Sequence, residues 1–322
     1  MNLVLADEHG NDYAQTEDFD LNIQYGDVND YELTLDEVLA PRSRFYIDGT
    51  PYGGIVDKRC PMTTATADTI KFKGRSMQGI IASRFIMPPP GKTHLVVSGD
   101  ANEVIAMVIS LVGLDDIFVA DPTPSGVILK DYRFYRFVDA WSGLRMALAS
   151  VGMRLQMTCQ QGLHVLRAVP SAVYGQIDSE RVFFELTCDD IPVNHLVGLG
   201  KGEGLSRAVS EWFADLNGNV SQTQTLFGAL ENAMTYQSTS DDASTLPAKT
   251  RSKLKEYQNA SKAKVTLPEG VELDVGDSVG LSSAAFNIMA TTQVIGVVAH
   301  IYNGDSEESY DFGIPNFPEE ED

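Results

Sequence analysis

Two glycine-containing segments have residue types that bind phosphate in nucleotide-binding proteins. Residues 91–93, Gly-Lys-Thr, match the end of a P-loop, but Ile86 stands where the motif needs its first glycine. The glycines of residues 198–204 lack the G-x-G-x-x-G spacing. The residues that follow, 205–213, predict a strand rather than the helix whose N-terminus holds a pyrophosphate. We therefore expect close backbone packing at these glycines and no nucleotide site.

Two further segments come close to catalytic or metal-binding motifs. Residues 74–79, Gly-Arg-Ser-Met-Gln-Gly, differ from the hydrolase elbow G-x-S-x-G because Gln78 occupies the second glycine position. Residues 215–219 begin like a calcium-binding loop, but Val220 and Leu226 replace the glycine and the glutamate that such a loop requires. Neither segment predicts a functional site.

The other reactive side chains are scattered along the chain. The histidines show no metal-ligand spacing, and the unevenly spaced cysteines predict small buried side chains rather than disulfides or a zinc site. Paired acids predict solvated loops, although a triad assembled from distant residues stays an open alternative. We expect no catalytic, cofactor-binding or metal-binding residues. The residues concerned are His9, His94, His164, His195, His300, Cys60, Cys159, Cys188, and the doublets 115–116, 189–190 and 241–242.

Composition predicts a globular, acidic protein. Of 322 residues 43% are hydrophobic, which is enough for a core. The longest apolar stretches, such as residues 104–114, are too short to span a bilayer, and residues 1–20 have no signal-peptide pattern. We therefore expect a soluble protein made in the cytosol, with no membrane segment. The net charge of −21 disfavours nucleic-acid binding, and it suits either solubility or a wall past which DNA slides.

The first third of the sequence predicts mainly strands. Residues 45–47 and 55–56, on either side of an Asp-Gly turn, predict a hairpin, and residues 69–73 predict a further strand. A short helix is predicted over residues 77–85. The Pro-Pro-Pro-Gly run at residues 88–91 ends it and is the clearest candidate for a linker.

The middle of the sequence predicts two helices and a hairpin. Asp100, with Glu103 three residues later, predicts a capped helix start. A second helix is predicted over residues 139–151, because its apolar residues recur on one face. Residues 155–158 and 164–168 alternate around a Gln-Gly pair, which predicts a hairpin.

The last third predicts strands around one helix. Residues 208–216 and 220–227 flank an Asn-Gly pair, a strong hairpin signal. Pro247 predicts the first turn of a helix over residues 248–260. Strands are predicted at residues 271–281 and 291–302, followed by an acidic tail at residues 318–322. The order indicates two β-rich modules bridged by an α/β piece.

Taken in order, these segments resemble the hub module of long-tailed phage baseplates, which is shared with the N-terminal part of tail-associated lysins. The resemblance covers nearly the whole chain and rests on the order and spacing of short motifs. The motifs are Phe19-Asp20-Leu21-Asn22, Gly54-Ile55-Val56-Asp57, residues 73–84, residues 194–202, the helix at residues 248–260 and residues 273–279.

The resemblance implies a β-rich α+β fold with two β-barrel-like tube domains bridged by a small α/β domain. Residues 1–90 would form the first barrel-like domain and residues 91–178 the α/β insert. Residues 179–322 would form the second barrel-like domain, with a helical insertion near residues 246–262 and the acidic tail.

In function, the resemblance implies a homotrimer that joins the six-fold tail tube to the three-fold tip and lets DNA pass without specific binding. Three copies would carry three times −21, that is −63. Expected partners are the tail tube or distal tail protein, the tape measure protein, and tip or fibre proteins. The expected location is the virion, assembled in the host cytoplasm. Lysin-type relatives carry further enzymatic domains, and because this chain stops at Asp322, we expect no enzymatic activity.

Three other functions stay open. The hub of a contractile injection machine would share the trimeric collar. A carbohydrate-binding β module would use the aromatic residues of 132–137, although residues so close in sequence cannot all face one way: Tyr132, Phe134, Tyr135 and Phe137. A glycosidase would need two carboxylates about 5–10 Å apart in a cleft. A trimeric ring would favour the hub, and a monomer with an aromatic cleft would favour sugar binding.

Overall fold

A computed structural model describes residues 1–63, 68–175, 182–187, 189, 191–258, 262–268, 270–302 and 304–317. Strands make up 45% of the chain and helices 15%, so the predicted β-rich α+β class is confirmed. The chain divides into two compact units. The first contains Met1–Val182 and Leu267–Gly313, and the second contains Phe183–Thr266 and Ile314–Phe317.

The strands of the described residues are short, apart from one. In chain order they are β1 (Leu3–Ala6), β2 (Asp12–Thr16), β3 (Asp20–Gly26), β4 (Asp30–Thr34), β5 (Arg44–Ile47), β6 (Gly53–Ile55), β7 (Lys58–Thr63), β8 (Asp68–Arg75), β9 (Val96–Asp100), β10 (Phe118–Ala120), β11 (Ile128–Arg133), β12 (Met153–Gln160), β13 (Leu163–Pro170), β14 (Val173–Tyr174), β15 (Phe183–Thr187), β16 (His195–Leu199), β17 (Val209–Ala214), β18 (Val220–Ser221), β19 (Ala233–Gln237), β20 (Lys262–Thr266), β21 (Ser278–Ser283), β22 (Ile288–Tyr302) and β23 (Asp305–Phe312).

The helices lie close to their predicted positions. They are α1 (Met77–Ala82), α2 (Ala101–Leu111), α3 (Ala140–Ala149) and α4 (Leu246–Gln258), with 3₁₀ turns at Gly204–Ser206 and Gly228–Leu230. The predicted cap of α2 is confirmed: Asp100 and Glu103 form a full capping box. None of the helices in the described part of the chain is long and apolar enough to cross a membrane.

The largest sheet of the first unit is organised by β22, its longest strand. The C-terminal half of β22 pairs with β3 on one side and β23 on the other. From there the antiparallel order runs β23-β22-β3-β4-β8-β7. The N-terminal half of β22 pairs with β21, which pairs in parallel with β14. We refer to the six strands from β23 to β7 as the main sheet.

Alternation of residue type gives the main sheet one apolar and one polar face. Leu21, Ile23, Leu33 and Phe72 point into the core and are at most 1% exposed. Trp141 of α3 contacts the end of β3, where its indole N–H donates to the Gly26 carbonyl at 3.1 Å. Gly26 has φ of +130°, and a Cβ there would lie 2.1 Å from the Ile295 carbonyl oxygen, so this position requires glycine.

Two smaller sheets meet in the same unit. Their orders are β2-β1-β5-β6 and β10-β13-β12, and they include the two hairpins predicted near residues 45–56 and 155–168. The turn after β5 joins them, because Gly49 N donates to the Cys159 carbonyl at 2.9 Å and Cys159 N donates to that of Thr50 at 2.8 Å. Tyr46 of β5 also packs edge-on against His164 of β13. The two sheets are thus held together by backbone and aromatic contacts.

A cluster of charged side chains replaces a predicted strand at residues 271–277. The backbone turns there, and β21 begins only at Ser278. Asp277 is 1% exposed; its carboxylate accepts from Ala172 N at 2.7 Å and Asp274 N at 2.9 Å. Arg154 of β12 lies beside both carboxylates, 2.6 Å from Asp274 and 2.8 Å from Asp277. The strand prediction for residues 271–277 was wrong because these distant partners stabilise a turn.

The second unit pairs a four-stranded sheet with α4. The strand order is β18-β17-β16-β19, and a separate pair is formed by β15 and β20. Leu254 of α4 packs against Leu196 and Ala214. The predicted Asn-Gly hairpin is confirmed at β17–β18, but β18 ends at Ser221 and residues 222–227 are not a strand. Residues 259 and 260 of the predicted helix lie outside the described residues.

The finer architectural predictions have different outcomes. None of the sheets in the described residues closes into a barrel, so the two barrel-like tube domains are not confirmed. The three-part division, with boundaries after residues 90 and 178, stays a prediction. Cys159 is buried as predicted, whereas Cys60 is exposed because β7 lies at a sheet edge. Cys188 and the acidic tail at residues 318–322 lie outside the described residues.

Candidate functional site

The polar face of the main sheet is the candidate functional surface. The strand register aligns Asn22 of β3, Glu32 of β4 and Lys73 of β8 across it. A shallow depression of about 510 Å³ runs along these strands. Asp57 and Arg75 lie at its end, where β8 leads into α1. The surface therefore carries charges of both signs at close quarters.

Glu32 is the centre of one charge cluster. Its carboxylate accepts hydrogen bonds from the ammonium groups of Lys71 and Lys73, one on each oxygen. The hydrogen bonds, that of Lys71 first, hold the pKa of the Glu32 carboxyl below its ordinary value. Both lysines are thereby paired with the same carboxylate on the face of the sheet.

Asp57 and Arg75 form a second, bidentate pair. Arg75 Nε donates to Asp57 Oδ2 at 2.9 Å and Nη2 donates to Oδ1 at 2.8 Å, while the Arg75 backbone N–H also donates to Oδ2 at 3.0 Å. The guanidinium lowers the pKa of the Asp57 carboxyl. Asp57 and Arg75 belong to two separate sequence motifs of the resemblance, so this pair brings those motifs together.

The glycines of the motif at residues 73–84 have a packing role. A Cβ on Gly74 would lie 2.2 Å from the Ile55 carbonyl oxygen, and one on Gly79 would lie 2.3 Å from that of Asn29. Ser76, the serine of the elbow-like segment, is fully buried and caps α1 by accepting from Gly79 N. The Ser76 hydroxyl group therefore serves to stabilise the start of α1.

The phosphate-like and calcium-like segments are also accounted for by local structure. The Gly-Lys-Thr segment at residues 91–93 is an exposed loop that leads into β9, whereas a P-loop leads into a helix. In the second unit, Gly198 lies under α4, and a Cβ there would lie 2.0 Å from Thr250 Oγ1. Asp215 accepts from the backbone N–H groups of Asn217 and Asn219, both at 2.9 Å, within its own turn.

The described contacts of the histidines differ from one another. His195 Nδ1 lies 2.7 Å from Glu231 Oε1, an arrangement that also occurs in catalytic dyads. However, His195 Nε2 is buried without a hydrogen-bond partner in the described residues, and the ring lies against Phe213. Burial, with Arg44 nearby, lowers the pKa of His164 to about 4. No group of three or more His, Cys, Asp or Glu side chains that could hold a metal occurs in the described part of the chain.

The four aromatic residues considered for sugar binding do not share a face. Phe134 is 1% exposed and belongs to the core, with Tyr132 packed edge-on against it. Tyr135 and Phe137 are exposed, and the Arg136 guanidinium lies over the Phe137 ring. The expectation that several of them are buried is confirmed for Phe134.

Several solved structures are similar to the chain over nearly its whole length. The tail protein from Neisseria meningitidis MC58 is 13% identical, with a TM-score of 0.42, and the match covers 98% of this chain and 97% of that one. The 43 kDa tail protein of prophage MuSo2 from Shewanella oneidensis is 12% identical, with a TM-score of 0.45 and coverage of 97% and 98%. A chain of the phage P2 baseplate in its activated conformation with Ca is 11% identical, with a TM-score of 0.40 and coverage of 99% and 100%.

These names agree with the resemblance to phage tail and baseplate proteins that the sequence predicted. No protein-family model matches the chain, and no curated protein matches it. The polar face itself was missed from the sequence. The available signal was the alternation of β3 and β4, in which apolar residues are separated by polar ones.

Proposed function

We propose that this chain is a structural, non-enzymatic subunit of a phage tail tip or baseplate. Three copies would form a hub ring between the six-fold tail tube and the three-fold tip, and the genome would pass through it. The order of the sequence motifs supports this proposal, as does the ion pair by which Asp57 and Arg75 join two of them. The ring would belong to the virion, with the tail tube or distal tail protein, the tape measure protein and tip or fibre proteins as neighbours.

The main support for this proposal is that lysine and arginine side chains on the polar face are bound to carboxylates. DNA is held by lysine and arginine side chains that replace its counterions. On this face Lys71 and Lys73 are bound to Glu32 and Arg75 is bound to Asp57, whereas Lys58, at the outer edge, has no ion-pair partner in the described residues. With a net charge of −21 per chain, a channel lined by this face would bind the phosphates of passing DNA only weakly. We therefore place the polar face at the channel.

Single-particle electron microscopy of the purified protein tests the proposal. The expected result is a ring with three-fold symmetry and a central opening wide enough for double-stranded DNA, about 20 Å across. Oligomeric particles that do not form a ring would contradict it. A ring of any other number of copies would contradict the proposal that the hub shares the three-fold symmetry of the tip.

A further inference from the structure

The main sheet has two free edges, and they carry opposite charge. Among the described residues, strand β7 pairs only with β8 and β23 pairs only with β22, so each leaves one row of backbone groups unpaired there. The two edges lie on opposite sides of the six strands, about 24 Å apart at the usual strand spacing. Both are accessible, since all residues of β7 and the first five of β23 are exposed.

The β7 edge is positive. Lys58 and Arg59 begin this strand, and neither has an ion-pair partner in the described residues. The cations of the adjacent strand β8 differ from them, because Lys71, Lys73 and Arg75 are already paired. Lys58 and Arg59 therefore differ from the β8 cations in having no carboxylate partner in the described residues.

The β23 edge is negative. Asp305, Glu307 and Asp311 have no cation partner in the described residues, and all three are exposed. Glu308, which points to the other face, accepts hydrogen bonds from the hydroxyl groups of Tyr52 and Tyr310. This strand has no lysine or arginine of its own. Four carboxylates thus line an edge without local compensation.

These charges select one way for two copies to meet. Two β7 edges would repel each other, as would two β23 edges, whereas a β7 edge and a β23 edge attract. Contacts between unlike patches are heterologous, and such contacts form a closed ring when the rotation between copies closes. A contact between like patches would instead give a two-fold dimer, which the charges oppose.

We propose that the β7 edge of one copy docks against the β23 edge of the next, so that the main sheets follow one another around the ring. This inference rests on the proposed homotrimer and names the surfaces that form it. Charged edges also protect a sheet against aggregation, and Pro61 in β7 is typical of that role. The two roles differ in one respect: protection needs charge of either sign on each edge, whereas docking needs opposite signs.

Charge reversal distinguishes docking from protection. Lys58→Glu with Arg59→Glu, and separately Asp305→Lys with Glu307→Lys, should each raise the concentration for half-assembly of the trimer more than about tenfold. The four changes combined should restore assembly, because the attraction is regained with its sign reversed. Lys92→Glu with Lys130→Glu is the matched control for the Lys58 and Arg59 variant: both lysines are exposed, and two cations are again replaced by two glutamates.

Cross-linking provides a second test with a residue that the chain already has. Cys60 on β7 is exposed, and Glu307 on β23 lies on the same, polar face of the sheet. A bismaleimide should convert Glu307→Cys, but not the exposed control Asp36→Cys, into covalent trimers through Cys60. A trimer that neither cross-links nor responds to the charge reversals would overturn the docking inference while the proposed ring stands. A wild-type protein that never assembles would instead overturn the proposed function.

Discussion

Arg154 Nη1 donates a 2.6 Å hydrogen bond to Asp274 Oδ2, and this contact joins two segments that are 120 residues apart. Asp277, also beside Arg154, is almost fully buried and holds the backbone of residue 172. The cluster thereby connects β12 to the backbone just before β14 and to the turn before β21. Burial raises the pKa of the Asp274 carboxyl, which indicates how much its ionised form depends on the arginine.

Removal of this arginine should destabilise the first unit strongly. Arg154→Met leaves two carboxylates facing each other without a cation, and we expect the free energy of unfolding to fall by about 3–5 kcal/mol. Urea unfolding should be followed by the fluorescence of Trp141 in a Trp212→Phe background, because the chain has only these two tryptophans. Arg145→Met is the control, since its pairing with the exposed Asp27 is worth less than about 1 kcal/mol. Equal losses in both variants would contradict the role assigned to the cluster.

Acid should weaken the first unit through His164. Because burial lowers the pKa of His164 to about 4 in the folded protein, an unfolded chain takes up its proton near pH 6.5 and the folded chain does not. Stability should therefore fall as the pH decreases from about 6.5 to about 4, by up to about 3 kcal/mol. His164→Gln should flatten this dependence, measured with the same tryptophan reporter, whereas exposed His9→Gln should not. An unchanged slope in His164→Gln would refute the assignment.

A methyl group at Gly198 should loosen the second unit. The Cβ of Gly198→Ala would lie 2.0 Å from Thr250 Oγ1, so α4 must move away from β16. We expect a loss of about 1–3 kcal/mol, detected as faster amide hydrogen exchange in residues 195–199, with residues 21–25 as the internal reference. Adding Thr250→Ala should recover part of the loss, because it removes the clashing oxygen. Unchanged exchange in Gly198→Ala would show that the helix is not held this closely.

Breaking the ion pairs of the polar face should make the protein bind DNA. Glu32→Gln with Asp57→Asn releases Lys71, Lys73 and Arg75 from their carboxylates. At low salt we expect increased retention of double-stranded DNA on the assembled protein, with a salt dependence that reflects the released cations.

The control for this DNA measurement changes two acids that have no cation partner. Asp36→Asn with Glu37→Gln alters the net charge by the same amount; both acids are exposed, have no ion-pair partner in the described residues and lie outside the proposed docking edges, so the change frees no lysine or arginine. It should therefore increase DNA retention less. Equal retention by the two double variants would mean that total charge alone, and not the pairing on this face, governs the interaction.

Local signals predicted those elements that depend on neighbouring residues. The capping box at Asp100 and Glu103 and the hairpin around residues 161–162 are fixed within a few positions of the chain, and both were predicted. Strand β23 was missed, because five of its eight residues are acids or serines next to one another and only its pairing with β22 makes it a strand. Residues 271–277 alternate like a strand, yet Arg154, far away in sequence, stabilises a turn there.

The candidate surface depends on the same long-range register. Glu32 meets Lys71 and Lys73 because β4 pairs with β8 across about 40 residues of sequence. Composition predicted the acidic charge but not that cations and carboxylates pair with one another on one face. The unpaired charges at the two edges likewise depend on which cations and carboxylates the strand register brings together.

The mass of the protein in solution decides whether the chain forms the proposed homotrimer. Light scattering on the purified chain, over a wide range of concentration and salt, separates a monomer of 35.1 kDa from an assembly of three. We expect a species of three times 35.1 kDa that is favoured at high concentration and weakened by salt. A mass of 35.1 kDa under every condition, or a two-fold dimer, would contradict it.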